Sequence, residues 1–226
     1  MARVDHKSVV VVFAREPVSG GVKTRLAASV GDAAALAFYR AFLEDLLAEL
    51  QRGTWSLRVA VAGNPERFAA TFGLDSAICL SQGEGDLGAR METAFRSLLG
   101  AGSWDRCLLV GSDMPQLAVK DLALADAALA MGEADVVLGP ALDGGYYLVG
   151  MARPHPIFSG VSWSTAGVLR QTRELARQLG LRTTLLAEAF DVDTAEDLQR
   201  LGSWLKDAHP GALPRTRAVW RDFSRP

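Results

Sequence analysis

The sequence predicts an α/β protein: a mostly parallel, doubly wound sheet with helices on both faces, a three-layer α/β/α sandwich. Three observations predict it. Short apolar runs recur at residues 8–14, 106–110 and 134–138. Continuous runs of this kind, rich in β-branched residues, suit strands buried on both faces. Segments with helical apolar spacing separate the strands of the first half, so strand and helix alternate. Two strands then follow closely on either side of Asp143-Gly144-Gly145. That departs from a strict strand–helix–strand repeat and predicts a mixed sheet with one inserted β element.

Each element has its own signal. Residues 8–14 (SVVVVFA) form the first strand, and 15–22 a Pro/Gly/Ser loop. Asp32 can cap a helix to about Arg52, with Leu36, Tyr39, Phe42, Leu43, Leu46, Leu47 and Leu50 at helical spacing and Gly53 ending it. A strand at 56–62, a short helix at 65–72 with Pro65 in its first turn, and a small strand at 77–80 follow. Asp86 begins a helix to about Leu99, then come a strand at 106–110 and a helix at 118–131 ended by Gly132. Strands at 134–138 and 145–151 precede a helix at 164–179, a strand at 182–186 and a helix at 194–205. Thr194 with Asp197 three residues later makes a capping-box variant for that last helix.

Residues 1–209 read as a single domain, with no internal repeat or linker, and 210–226 as a C-terminal extension. The extension carries Arg215, Arg217, Arg221 and Arg225 against Asp222, with Trp220 and Phe223 between them. Packing on the domain, or a homodimer contact, suits it better than a nucleic-acid arm.

Composition bounds the function. Of 226 residues, 49% are hydrophobic and 22% charged, which excludes disorder. Lys+Arg at 24 against Asp+Glu at 26 leaves a net charge of −2, so neither nucleic acid nor an anionic membrane is expected as partner. A phosphate ligand stays open, because its site needs only local cations. Cys79 and Cys107 lie in apolar runs and read as buried thiols in a reducing compartment. Arg3 and Lys7 precede an apolar run at 9–14 that is too short for a signal peptide. No stretch approaches the roughly 20 apolar residues of a membrane span. A soluble, cytoplasmic protein is expected.

In open α/β sheets ligands bind outside the carboxyl ends of the strands, so the loops after strands come first. After the first strand stand Gly20-Gly21-Val22-Lys23-Thr24-Arg25. Paired glycines let backbone N–H groups approach a ligand, and two cations follow where a helix can begin. The loop is a possible phosphate cradle, or a solvated turn with two surface cations. It is neither a Walker A loop nor a G-x-G-x-x-G fingerprint. The next is Gln82-Gly83-Glu84-Gly85-Asp86-Leu87-Gly88-Ala89-Arg90. Asp86 can simply cap its helix, whereas Gly88 and Arg90 leave room and a cation in the first turn. Gly111-Ser112-Asp113-Met114-Pro115 places an acid at the sheet's carboxyl edge, suited to Mg²⁺ completed by diphosphate oxygens. A turn Asp before Pro is the plainer reading. Asp191 and Asp193 alternate onto one face if extended, and one could supply a second metal carboxylate. Asp143-Gly144-Gly145 is either a hairpin turn or an acceptor-side group.

Other chemistries fit poorly. His6, His155 and His209 stand alone, no Cys/His cluster suits zinc, and no G-x-S-x-G elbow marks a serine hydrolase. Trp163, Tyr146 and Tyr147 could stack a base or sugar, though packing is the default for any one aromatic.

Taken together the motifs have a familiar order: Phe13-Ala14-Arg15-Glu16-Pro17 with Gly21-Val22-Lys23-Thr24-Arg25-Leu26, then Gly85-Asp86-Leu87-Gly88-Ala89-Arg90-Met91, Gly111-Ser112-Asp113-Met114-Pro115, Asp143-Gly144-Gly145-Tyr146-Tyr147-Leu148, and Asp191-Val192-Asp193-Thr194 with Glu196-Asp197-Leu198. Over roughly residues 8–205 the chain resembles the small bacterial DUF2064-type transferases, grouped as candidate glycosyltransferases. They are related to 2-phospholactate guanylyltransferases and molybdenum-cofactor nucleotidyltransferases. The resemblance implies a Rossmann-like GT-A nucleotide-diphospho-sugar transferase fold and an Mg²⁺ (or Mn²⁺) cofactor. It implies Lys23, Arg25, Asp113 and Asp143 as catalytic. It implies Ala14, Arg15, Gly20, Gly21, Lys23, Arg25, Gln82, Gly88 and Ser112 at the nucleotide. Asp143, Gly144, Gly145 and Tyr146 would face sugar or acceptor. Asp113 and Asp193 would hold the metal, with Asp191 as the alternative second ligand.

One departure bears on the chemistry. Glycosyltransferases of this fold usually carry D-x-D, and Ser112-Asp113-Met114 supplies one acid, as in the nucleotidyltransferases. The expected function is an Mg²⁺-dependent transferase taking a nucleotide or nucleotide sugar and a small-molecule acceptor, foremost a nucleotide-sugar glycosyltransferase. A nucleotidyltransferase acting on a small phosphorylated acceptor is the alternative, and a non-catalytic nucleotide-binding protein the second.

Overall fold

The computed structural model describes residues 7–100 and 102–224. Arg3, His6 and Arg225, weighed above, lie outside the described residues. The first apolar run forms β1 (Ser8–Arg15), followed by α1 (Thr24–Val30), α2 (Asp32–Leu50), β2 (Ser56–Ala62) and α3 (Pro65–Phe72). A 3₁₀ turn (Ser76–Ile78) leads into β3 (Cys79–Ser81), α4 (Leu87–Gly100), β4 (Arg106–Gly111), α5 (Val119–Ala130) and β5 (Val136–Pro140). The chain ends with β6 (Tyr146–Met151), α6 (Val168–Gln178), β7 (Thr183–Leu185), α7 (Ala195–Asp207) and α8 (Pro214–Phe223).

Seven strands make one sheet in the order β3-β2-β1-β4-β6-β5-β7. β1 pairs in parallel with β2 and β4, as do β2 with β3 and β5 with β7. β6 runs antiparallel to both its neighbours, β4 and β5. This is the inserted element expected from the close succession of two strands. Its reversal puts the β5–β6 turn at the carboxyl edge of the parallel strands.

β1 is buried on both faces, and its alternation divides the core. Val10, Val12 and Ala14 pack with Tyr39, Leu43 and Leu46 of α2 and with Leu122 and Ala125 of α5. Val9, Val11 and Phe13 pack with Met91 and Phe95 of α4 and Ala176 of α6 on the other side. Helices on both faces of a mostly parallel sheet are the three layers expected. Cys79 and Cys107 are buried, unpaired thiols.

The chain moves outward from β1 through β2 to β3, then returns to β4 on β1's other side. That reversal opens a crevice outside the carboxyl ends of β1 and β4. At the opposite edge, Arg106 Nε donates to Asp126 Oδ1 at 2.7 Å and its Nη2 to Ser8 Oγ at 3.0 Å. Ser8 Oγ in turn donates to Asp126 Oδ1 at 2.6 Å, so β1, β4 and α5 are joined there.

Three elements differ from the sequence reading. α1 escapes it because only Leu26 of its seven residues is buried, and Gly31 at φ 83° separates it from α2. α6 starts at Val168, four residues later than expected, after a turn in which Ser164 lies in the left-handed region at φ 62°. The C-terminal extension contains α8, which packs on α2. Trp220 and Phe223 meet Phe38 edge-on at 6.3 and 5.5 Å between ring centroids. The buried Asp45 carboxylate of α2 accepts Arg215 N at 3.1 Å and Thr216 N at 2.8 Å. It thereby satisfies two open N–H groups at the start of α8, where an anion is favoured. Among the described residues no helix is long and apolar enough to cross a membrane.

Candidate active site

Three segments, the loops after β1 and β4 and residues 191–193, converge in the crevice, and Lys23 is their meeting point. The loop after β1 turns through Gly20 (φ 71°) and Gly21, both exposed. Lys23 then adopts φ 49° and ψ 41° at the start of α1. This turns its side chain inward, where it is 3% exposed. Its Nζ lies 2.5 Å from Asp113 Oδ1, and donates to Asp193 Oδ1 at 2.8 Å and to Val192 O at 2.7 Å. An ammonium has three protons, and these oxygens use all three. Burial alone would push its pKa down, but the two carboxylates prevail and hold it above the ordinary lysine value.

Asp113 follows β4 and keeps 44% of its side chain exposed, facing the crevice mouth. Its backbone O accepts Val192 N at 2.8 Å, which fastens the 191–193 segment to the β4 loop. Val192 is fully buried beside Phe42 and Leu198, so Asp191 and Asp193 turn the other way together, as their alternation predicts. Thr194 and Asp197 complete the capping box that starts α7. Arg25 is largely exposed, with Nη1 3.6 Å from Asp193 Oδ2. The Asp191 carboxyl is pushed up to about 6, by burial first and then by the charges of Asp143 and Asp193, with Lys23 acting the other way. Asp143 thus joins this acidic group from the β5–β6 turn.

The remaining expected residues have more varied settings. Asp143 Oδ1 accepts Gly145 N at 2.8 Å, so the Asp-Gly-Gly segment is a hairpin turn as well as an acidic tip. Gly144, at φ 88°, lies so close to loop 163–167 that a β-carbon there would sit 2.7 Å from Ala166 Cα. Its O accepts Leu169 N at 2.9 Å. Tyr146 turns into the core, edge-on to Trp163 at 6.5 Å, and burial pushes its hydroxyl pKa up. The space left by Gly88 holds the Trp163 indole, whose Nε1 would be 2.7 Å from an added β-carbon. Asp86 caps α4 through Ala89 N at 2.8 Å.

Gln82 is buried and fully engaged. Its Nε2 donates to Ala14 O and Ala60 O, both at 3.0 Å, and its Oε1 accepts Arg90 Nη1 at 3.0 Å. It ties the ends of β1 and β2 together and aims Arg90. Ser112 is buried, its Oγ 3.3 Å from Tyr39 Oη. Tyr39 also accepts Arg15 N at 2.8 Å and donates to Arg15 O at 3.1 Å. The sequence reading missed this role for Tyr39. Its one signal is a hydroxyl within an otherwise apolar helical stripe.

Among the described residues no group of three or more His, Cys, Asp or Glu side chains is arranged to hold a metal. The donors around Lys23 nevertheless suit one. Two carboxylates and a carbonyl are hard oxygens of the class Mg²⁺ and Mn²⁺ take, and Mg²⁺ commonly uses one or two protein carboxylates with phosphate and water completing the shell. The Lys23 ammonium is a cation already standing among them.

The comparisons with known proteins agree on the fold. A candidate nucleotide-diphospho-sugar transferase from Desulfovibrio desulfuricans G20 is 33% identical, with 96% of this chain and 95% of that one covered and a TM-score of 0.88. A CMP:2-keto-3-deoxy-manno-octonic acid synthetase solved with CTP is 12% identical, over 89% of this chain and 99% of that one, at a TM-score of 0.54. Rv0371c from Mycobacterium tuberculosis H37Rv, solved with manganese, is 17% identical, over 86% of this chain and 97% of that one, at 0.53. The last two likenesses are of fold alone. No curated protein matches the sequence. The chain therefore has the Rossmann-like fold of nucleotide-diphospho-sugar transferases. Residues 46–165 match the family DUF2064, described as uncharacterised proteins conserved in bacteria, and the chain belongs to that family.

Proposed function

We propose that this protein is a divalent-metal-dependent transferase that uses a nucleotide-activated sugar. The observation that carries the reading is the convergence of Lys23, Arg25, Asp113 and Asp193 at the carboxyl ends of β1 and β4. Cations for phosphates and carboxylates for a metal come together where an open α/β sheet binds its ligand. The Desulfovibrio relative supports the donor class, and the synthetase with CTP and Rv0371c with manganese support nucleotide and metal.

The residues divide the work as follows. Asp113 and Asp193 would hold the cation, which when bound offsets the charge developing on a diphosphate leaving group. Arg25, exposed at the mouth, meets the phosphates first. Lys23, held by Asp113, Asp193 and Val192 O, would reach them only by leaving those oxygens. Gln82 aims Arg90, and Tyr39 fixes the backbone of Arg15 beside Ser112. Asp143 and Asp191 stand where an acceptor hydroxyl would enter. A carboxyl near 6 is mostly ionised at neutral pH and more basic than an ordinary aspartate, which favours Asp191 as proton acceptor.

Nucleotidyl transfer is the second reading, favoured by the single acid of Ser112-Asp113-Met114 where glycosyltransferases of this fold usually carry two. The products separate the readings: glycosyl transfer releases a nucleoside diphosphate, nucleotidyl transfer pyrophosphate. The test screens nucleotide sugars and nucleoside triphosphates with Mg²⁺ by calorimetry, then identifies the released product. Asp113→Asn is expected to lower turnover about 100-fold or more. Binding of triphosphates alone, with pyrophosphate released, would replace the first reading by the second. Full turnover in the Asp113→Asn protein would remove Asp113 from the catalytic machinery, and nucleotide binding with no product released would leave a nucleotide-binding protein without catalysis.

A further inference from the structure

Lys23 is spent where it stands. Its ammonium is held by Asp113 Oδ1, Asp193 Oδ1 and Val192 O at 2.5, 2.8 and 2.7 Å, on a side chain 3% exposed. No proton is left for a phosphate, although the proposed transferase needs this cation at the nucleotide. The same three oxygens are the hard donors that the metal would use. A divalent ion and the ammonium cannot share them: both are cations, and each would sit within a few ångströms of the other in a poorly solvated position.

We propose that Lys23 and a divalent cation exclude each other between Asp113 and Asp193. Without nucleotide the ammonium fills the place. A phosphate-bearing ligand draws it away on its flexible four-carbon stem, and the ion enters with that ligand. The inference rests on the proposed transferase for its nucleotide half, while the exclusion itself is a property of this chain's residues. It makes Lys23 a guard against metal without substrate, as well as a phosphate contact.

The experiment is a calorimetric Mn²⁺ titration of the full chain without nucleotide, for wild type and for Lys23→Met. The variant is expected to bind Mn²⁺ about tenfold more tightly or better, a ratio read directly from the two dissociation constants. Adding Asp193→Asn to Lys23→Met is expected to abolish the gain, which locates the ion. Wild-type binding as tight as the variant's overturns the proposal, as does a folded variant with no gain. Should Lys23→Met fail to fold, Lys23→Gln repeats the comparison. Repeating the wild-type titration with UDP-glucose and with CTP tests the other half: a gain in Mn²⁺ affinity supports it. No gain with either nucleotide, beside a gain in Lys23→Met, keeps the exclusion and overturns release of Lys23 by these ligands.

Discussion

Two glycines at similar backbone angles should respond very differently to one added methyl group. Gly144 has φ 88° and Gly160 φ 76°, so alanine meets left-handed strain at both, roughly 1–2 kcal/mol. At Gly160 nothing lies within 4 Å of the new carbon. At Gly144 it lies 2.7 Å from both Ala166 C and Cα and closer still to Ala166 O. Backbone atoms cannot rotate aside, so loop 163–167 must move, an overpacking cost of roughly 1–3 kcal/mol. The totals are about 2–5 kcal/mol for Gly144→Ala and about 1–2 kcal/mol for Gly160→Ala. At roughly 2–4 °C per kcal/mol for a chain of this size, the first should lose about 4–20 °C of Tm and the second about 2–8 °C. Urea unfolding of both variants at matched slopes gives the difference directly. Equal destabilisation within about 0.5 kcal/mol would refute the close approach of the β5–β6 turn to this loop, since additivity holds only to that level.

The other predictions concern charge and burial. Folding raises the Asp191 carboxyl to about 6, so its protonated form favours the native state and stability is lost as pH rises from the unfolded value through 6. Asp191→Asn should therefore have a higher Tm than wild type near about pH 8 and an equal one near about pH 4, in thermal scans at the two pH values. Asp126→Ala leaves the buried Arg106 guanidinium without its counter-charge. It should cost about 3 kcal/mol in urea unfolding, and a loss under about 1 kcal/mol would mean the pair is idle. Its place at the amino edge of the sheet should leave nucleotide affinity unchanged. Burial pushes the Cys107 thiol far up, so a disulfide reagent should label it only after unfolding, as peptide mapping would report.

The sheet was legible because its signals are local. β1 and β4 announce themselves by apolar runs, and β6 by following β5 after only a short turn. α1 was hidden because it buries only Leu26, and α8 because its reasons for being helical are distant. α8 exists by what it covers on α2 and by Asp45, which caps it from 171 residues away. The candidate residues were legible as types at strand ends, Lys23, Asp113 and the Asp191/Asp193 pair, whereas the preference for Asp193 came from the family resemblance. Their pairing was not legible, because it depends on Lys23's left-handed backbone turning the side chain inward. Gly88 and Gln82 show the same limit. Gly88 stands in the first turn of α4 and Gln82 in the loop before it, yet one makes room for Trp163 and the other clamps two strand ends, partners that no local pattern names.

The seating of α8 on α2 sets a timetable for synthesis. Phe38 and Phe42 leave the ribosome well before Trp220 and Phe223 are made. At roughly 5–20 residues per second, the 171 residues between Asp45 and Thr216 take about 10–30 s to translate. Through that interval α2 offers an uncovered aromatic flank and a carboxylate with no amides to accept. A nascent chain in that condition is a natural client for a holding chaperone. A stop codon before residue 214 would make that transient exposure permanent.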